Sequence, residues 1–500
     1  MTAPTPAHPR EPGTVLATEP ATEVDTVVVG AGFAGIGMGI RMLRAGTDSF
    51  VVLERADTVG GTWRDNIYPG VACDIPSHLY SFSFAPKTDW TRFFAPGAEI
   101  RDYLRDRARE IEAQLRLGTE LLDARWSADD GRWRVVTSAG DYLCRNLVMA
   151  AGRLSEPRVP DIAGLGSFAG EVFHSSRWDA SVDLAGKRVG VVGTGASAVQ
   201  LVPHLADAAD SVVVFQRTAP FVVPRGDSAY SADDIRRFGT DPASRESLRS
   251  ELFWGTETNF AERLGVPGFV DRLRERALGH LAAQVADAGL RARLTPDYEI
   301  GCKRVLLSDD YYPAIARENV RLEPSALASV DGRTATAASG ASADLDVLVL
   351  ATGFESTRPP FAERVTGRDG LRLAEAWSDG MVAFDSTTVH GFPNLYVIDG
   401  PNASLGHSSA IVMIEAQIGY VLAGLADPAD VLEVRADRQA DYVAELDAKA
   451  AGTVWLGGGC DSWYVDERSG RLTLLWPDFA YAFVDRLAAF DRSAYLATSR

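Results

Sequence analysis

Two glycine-rich loops constrain this chain more than any other feature, because each follows a short β-branched run and opens a stretch of helical spacing. The first, Gly30-Ala31-Gly32-Phe33-Ala34-Gly35, comes after Thr26-Val27-Val28-Val29 and leads into helix-like sequence from Ala34 to Leu43, then a second strand over Ser49–Leu53. Residues 25–54 therefore read as one βαβ unit. The pattern returns at Arg188-Val189-Gly190-Val191-Val192, followed by Gly193-Thr194-Gly195-Ala196-Ser197-Ala198, helical spacing to Leu205 and a strand over Ser211–Phe215. In such a unit the first glycine permits the tight turn, the second lets a pyrophosphate reach the backbone at the helix N-terminus, and the third lets helix and strand pack closely. The fingerprint tolerates alanine at the third position, as in the second loop. The expected fold class is α/β, with two Rossmann-like dinucleotide-binding domains. The sheet begun by the first unit should be parallel and buried.

The residue ending the strand after each loop sets its polarity. Glu54 occupies that place in the first unit, where a carboxylate accepts hydrogen bonds from a ribose hydroxyl and repels a 2′-phosphate, so FAD or NAD is expected. In the second unit the strand runs into Phe215-Gln216-Arg217-Thr218. A guanidinium there suits a 2′-phosphate, which favours NADPH. One bound flavin and one exchangeable reductant imply hydride transfer between them. Phe33 joins the glycines and Glu54 in the first site; Thr194, Ser197, Arg217 and Thr218 join Gly193 and Gly195 in the second.

Five hundred residues exceed what one core usually organises. The expected division is an arm over residues 1–22, an FAD-binding domain from 23–152 plus 358–500, and an NADP-binding domain over 153–357. Between Ser231 and Thr295 the sequence turns charged, with apolar residues at three- and four-residue spacing, so a helical insertion is expected at about 226–300. Apolar strands at Asp346–Leu350 and Asn394–Ile398 complete the two sheets. The formal charge of −18 argues against nucleic-acid or anionic-membrane partners. The first two dozen residues lack an apolar signal core, and no run of 18 apolar residues occurs, so neither a transmembrane helix nor stable membrane association is expected. Cys73, Cys144, Cys302 and Cys460 show no CxxC, which suggests neither a disulfide framework nor a zinc site and fits a reducing cytoplasm. The seven histidines have no metal-ligand spacing, so no metal is expected.

The stretch Phe168-Ala169-Gly170-Glu171-Val172-Phe173-His174-Ser175-Ser176-Arg177-Trp178-Asp179 resembles the FxGxxxHxxxW(P/D) fingerprint of type I Baeyer–Villiger monooxygenases, a branch of the class B flavoprotein monooxygenases. Gly60-Gly61-Thr62-Trp63 through Gly70, Cys73-Asp74 through Phe84, Gly301-Cys302-Lys303-Arg304, Ala351-Thr352-Gly353-Phe354 and Ser462-Trp463-Tyr464 resemble the same family, over roughly residues 24–490. The resemblance implies an FAD- and NADPH-dependent enzyme that forms a C4a-peroxyflavin with O2 and converts a small ketone to an ester or lactone. It implies that Arg304 stabilises the oxygenated flavin, with Asp74 holding Arg304. Lys303 would join Arg217 on the 2′-phosphate, and Trp463 would cover the nicotinamide cofactor. Thr62, Trp63 and Tyr80 would belong to the flavin site. From the residues alone, Lys303-Arg304 is an ordinary basic pair, Asp74 a turn residue, and Trp63, Tyr80 and Trp463 packing aromatics. For His174 a structural role in the connection between the domains is expected. The competing readings are an S- or N-oxygenase of the same flavoprotein class, a flavin disulfide reductase, which needs a redox-active cysteine pair, and a non-catalytic FAD or NADPH sensor. No motif identifies the residues lining the substrate cavity.

Overall fold

The computed structural model describes residues 21–498. The arm expected over residues 1–22 therefore lies, except for its last two residues, outside the described residues. The strand expected from Thr26 begins at Thr22 and runs to Val29, followed by the helix Phe33–Arg44 and the strand Phe50–Leu53. Val27, Val28, Val51 and Val52 are all buried. Such runs, apolar on both faces, are what a covered parallel sheet requires.

Two sheets carry the architecture. The first has eight strands, in the order Val365–Thr366, Leu121–Ser127, Arg132–Thr137, Tyr142–Met149, Thr22–Val29, Phe50–Leu53 and Leu115–Arg116, with Leu395–Val397 also pairing with Tyr142–Met149. It is not wholly parallel as expected: Leu121–Ser127, Arg132–Thr137 and Tyr142–Met149 form an antiparallel meander. Short turns at Gly131 and Gly140, both at positive φ, make that meander possible without crossover helices. The remaining pairings are parallel, and their register brings Val29, Leu53, Met149 and Val397 to the same edge. Ligands bind beyond such carboxyl ends in open α/β sheets.

The second sheet is parallel throughout, in the order Val320–Glu323, Ser211–Phe215, Arg188–Val192, Val347–Leu350, Glu171–His174. The fingerprint segment thus supplies an edge strand. A side chain at Gly170 would collide with the carbonyl of Asp346 and the ring of Phe168, so the glycine permits close docking on the neighbouring strand. His174 pairs with Leu350 in register and is buried against Phe354, ring centroids 5.5 Å apart. Its Nδ1 accepts the Ser176 N–H at 3.1 Å, and burial pushes its pKa down to about 4. A neutral imidazole with these partners ties the strand to the turn that follows it.

Five helices, Ala232–Thr240, Pro242–Glu257, Phe260–Arg263, Phe269–Gln284 and Ala288–Leu294, lie between the paired strands Val222–Val223 and Leu306–Leu307. Ser231, Asp241 and Asp287 cap three of them by accepting backbone N–H groups from Asp234, Ser244 and Leu290. Arg249 reaches out of this group to donate to the carbonyls of His78 and Ser81 at 2.9 and 3.0 Å. Glu257 accepts from His407 Nε2 at 3.1 Å and from the backbone of Ala480 and Tyr481.

The cysteines require a correction. Cys302 and Cys460 form a disulfide across 158 residues of sequence, while Cys73 and Cys144 are free and buried. Folding can bring together cysteines of any separation, so the expectation of no disulfide fails, and the cysteines no longer support a reducing compartment. Here the loop carrying Lys303 and Arg304 meets the segment carrying Trp463, and that encounter is set by tertiary packing. Among the described residues, no helix is long and apolar enough to cross a membrane.

Candidate active site

The first glycine loop is built for close approach. Gly30 adopts φ +108°, and a Cβ there would press into the carbonyl of Ala150 on the adjacent strand; one at Gly35 would press into Gly30 itself. Gly193, at φ +111°, meets Ala351 in the same way. The first glycines of the two loops thus make the same close approach, while the third position, Gly35 in the first loop, is Ala198 in the second. The loops differ in exposure: Phe33, Ala34 and Gly35 are buried, whereas Gly195 and Ala196 are open to solvent. An enclosed site suits a resident cofactor and an open one suits an exchanging partner.

A cavity of about 470 Å³ lies over the first loop. Glu54 lines it and is buried; its two carboxylate oxygens accept the N–H groups of Ala31 and Ala56, each at 3.0 Å, and Arg64 pairs with it at 2.8 Å. Arg55, Thr119 and Glu120 complete this end. Glu54 therefore also braces the glycine loop, a job its place in the sequence did not reveal. At the other end are Trp63, Tyr80, Ile411 and Ile414. Tyr80 packs edge-on against both Phe33 and Trp63, with centroids 5.3 and 5.6 Å apart, and accepts the Trp63 indole N–H at 3.3 Å. Thr62 starts the helical turn that carries Trp63 and also lines the cavity. An acidic, polar end, a glycine cradle and an aromatic end together match the three parts of a flavin dinucleotide.

Asp74 and Arg304, 230 residues apart, meet between the two sheets. Arg304 donates from Nε and Nη2 to Asp74 Oδ2 at 2.8 and 2.6 Å, and both side chains are partly exposed. The Asp74 charge holds the guanidinium above its ordinary range against the opposing effect of burial. The Asp74 loop is itself docked on the helix Ala196–Ala208 of the second unit: Tyr68 donates to Gln200 Oε1 at 2.9 Å and Gln200 Nε2 donates to the Ala72 carbonyl at 2.9 Å.

Around the second loop, Thr194 Oγ1 donates to the Thr218 carbonyl at 2.8 Å, tying the glycine turn to the strand end that bears Arg217. Ser197 lies in the first turn of the helix, near the Tyr68 hydroxyl. Arg217 is exposed. Burial lowers the pKa of Lys303, and the nearby Arg217 charge lowers it further, so the two cations are near neighbours. An anion between them relieves that repulsion, as a 2′-phosphate would. Trp463 is 40% exposed, with its ring 4.5 Å from that of Tyr464, three residues beyond the disulfide.

Comparison with known proteins agrees with this geometry. Residues 27–233 match the pyridine nucleotide-disulphide oxidoreductase family. A Baeyer–Villiger monooxygenase of Streptomyces coelicolor is 45% identical over 94% of this chain and 92% of its own. The chain belongs to the Baeyer–Villiger monooxygenases. Two solved structures resemble it over 96% of its length and all of theirs: an OTEMO complex with FAD and NADP, with TM-score 0.83 at 27% identity, and a cyclohexanone monooxygenase from Rhodococcus sp. Phi1 bound to NADP+, with TM-score 0.85 at 26% identity.

Within this Baeyer–Villiger monooxygenase the structure brings Asp74 to Arg304, and Thr62, Trp63 and Tyr80 to the glycine cradle, while Lys303 lies within electrostatic reach of Arg217. The disulfide does not line the cavity, so it does not supply the redox-active pair that a disulfide reductase needs. Sequence reasoning missed Arg153, Asp399 and the start of the helix Ala410–Leu425, all of which border the cavity. Arg153 directly follows the turn Ala150-Ala151-Gly152 at the carboxyl end of a strand, and that position was the one available signal.

Proposed function

We propose that Arg304, held by Asp74, is the cation that serves oxygen transfer in this enzyme, at the junction of the two nucleotide sites. The chain is an FAD- and NADPH-dependent monooxygenase that inserts one oxygen atom of O2 next to the carbonyl of a small organic ketone, giving an ester or lactone. FAD occupies the cavity over Gly30–Gly35, and NADPH binds the open loop Gly193–Ala198 with its 2′-phosphate on Arg217 and Lys303. Bound there, the cofactors supply two-electron reduction and dioxygen activation; the protein residues set the environment.

The observation that carries the reading is the Asp74–Arg304 pair, since it joins a loop of the first unit to the strand-leading segment of the second. With Asp74 engaging one edge, the guanidinium keeps its remaining N–H groups for the reacting centre. A fixed donor of this kind stabilises negative charge developing on oxygen, and a guanidinium never surrenders its proton at neutral pH. Protonation of the attacking oxygen, which would remove its nucleophilicity, is thereby avoided. Trp463, on its solvent-facing segment, closes over the nicotinamide side and limits water entry, which otherwise diverts reducing equivalents to hydrogen peroxide.

The test is anaerobic reduction of the purified yellow protein by NADPH, followed by rapid mixing with O2 and then a cyclic ketone. Bleaching by NADPH, a long-lived oxygenated flavin absorbance and ester formation are expected. Oxidation confined to amines or sulfides would defeat the ketone assignment.

A further inference from the structure

We infer that Arg153, held by Asp399, is a second built cation at the flavin, and that this pair tunes how readily the bound flavin accepts electrons. The inference rests on the flavin reading of the cavity over Gly30–Gly35. Arg153 follows the strand Tyr142–Met149, and Asp399 follows the neighbouring strand Leu395–Val397, so the parallel register delivers both to the same sheet edge. Arg153 Nη1 pairs with Asp399 Oδ1 across 246 positions, and both side chains are only 14% exposed. Both line the cavity.

Their surroundings place them toward the aromatic end. Burial pushes the pKa of Arg153 down to about 10, and the neighbouring Arg304 charge lowers it further; Tyr80 and Tyr464 also lie nearby, away from the Glu54 end where the ribose hydroxyls are expected. The pair is braced rather than loose: the Arg153 carbonyl accepts from Ser356 Oγ at 3.0 Å, and Asp399, at φ +58°, donates its backbone N–H to the buried Gln417 Oε1 at 2.9 Å. Gln417 is fixed in turn by donating to the Ser386 and Val397 carbonyls. A non-glycine residue held at positive φ by a buried side chain is a position determined by its surroundings. Arg153 Nε is buried and has no partner among the described residues.

The other cations lining the cavity have acids that occupy them at its polar end: Arg55 with Glu156, Arg64 with Glu54 and Asp65, and Arg364 with Glu120. Arg153 is the one beside the aromatic residues. A flavin that gains two electrons and one proton becomes more negative. A nearby guanidinium favours that reduced form and a nearby carboxylate disfavours it, and charge next to the ring is how a protein tunes a cofactor's electronics. The two partners therefore act with opposite sign on one equilibrium.

The experiment uses the full chain loaded with FAD and measures the two-electron midpoint potential by dye equilibration, with flavin affinity followed separately by fluorescence. Arg153→Gln should weaken the preference for reduced flavin about tenfold, a downward shift of about 30 mV for a two-electron couple. Asp399→Asn should move the potential upward by a similar factor, and Arg153→Lys should stay near wild type. Opposite shifts support the inference; a merely structural pair gives shifts of the same sign, or none, and either result overturns it. Should Arg153→Gln fail to fold or load, the sign of the Asp399→Asn shift decides alone. A wild-type chain that takes up no FAD would instead sink the flavin reading of the cavity.

Discussion

Arg304→Ala separates oxygen transfer from flavin reduction. In the structure two of the five guanidinium N–H groups are committed to a single oxygen of Asp74, at 2.8 and 2.6 Å, and three remain for the reacting centre. Losing one preorganised donor to a developing oxyanion typically costs about 10²–10³ in kcat, or roughly 3–4 kcal/mol. Arg304 presents more than one, so the upper part of that range is expected for ketone conversion. The alanine variant also strands the Asp74 carboxylate at a partly covered site, which adds a separate destabilising effect. The Asp74→Asn, Arg304→Ala double variant removes that charge and distinguishes the two effects. The assay follows ester by gas chromatography alongside NADPH consumption and hydrogen peroxide. The expected result is ester formation reduced by at least two orders of magnitude while NADPH oxidation continues and peroxide replaces product. Ester formation at the wild-type rate, with coupling intact, refutes the assignment of Arg304 as the cation at the reacting centre.

Arg217→Ala should raise KM for NADPH about tenfold with little change in KM for NADH, since a charge-assisted bond to the 2′-phosphate is lost while the glycine loop is untouched; equal effects on both nucleotides in steady-state assays would contradict the polarity argument. Replacing Cys302 and Cys460 together by serine should lower the thermal midpoint, because a bridge closing a loop of 158 residues is worth up to about 5 kcal/mol on chain-entropy grounds. The same variant should release more peroxide per NADPH, as the segments bearing Arg304 and Trp463 lose their tether, and unchanged melting and coupling would count against both points. Acid should destabilise the fold: His78 and His174 are each pushed down to about 4 by burial, so the unfolded chain binds more protons than the folded one below about pH 6.5. Their contribution is complete above that pH and is lost as pH falls toward 4. His174→Gln should flatten the slope of stability against pH across this window in denaturant titrations.

The local physics of phosphate binding explains what was legible without coordinates. A glycine turn, the helix it opens and the residue ending the next strand lie within some thirty positions, so Gly30–Gly35 with Glu54 and Gly193–Ala198 with Arg217 declare their sites in one dimension. The Asp74–Arg304 pair was named only through family resemblance, because nothing in the spacing of two residues 230 apart predicts their meeting. The parallel expectation for the first sheet failed at the meander from Leu121 to Met149, where tight turns replaced crossover helices.

By itself, then, the chain's sequence determined two nucleotide loops, their opposite polarities and the runs that build covered strands, since each depends on neighbours along the backbone. Only the tertiary structure decided the Cys302–Cys460 bond, the bracing of the glycine loop by Glu54, and the meeting of Arg153 with Asp399 at one sheet edge. These depend on which strand lies beside which, and pairing between distant segments is settled by burial of the whole core rather than by any local pattern.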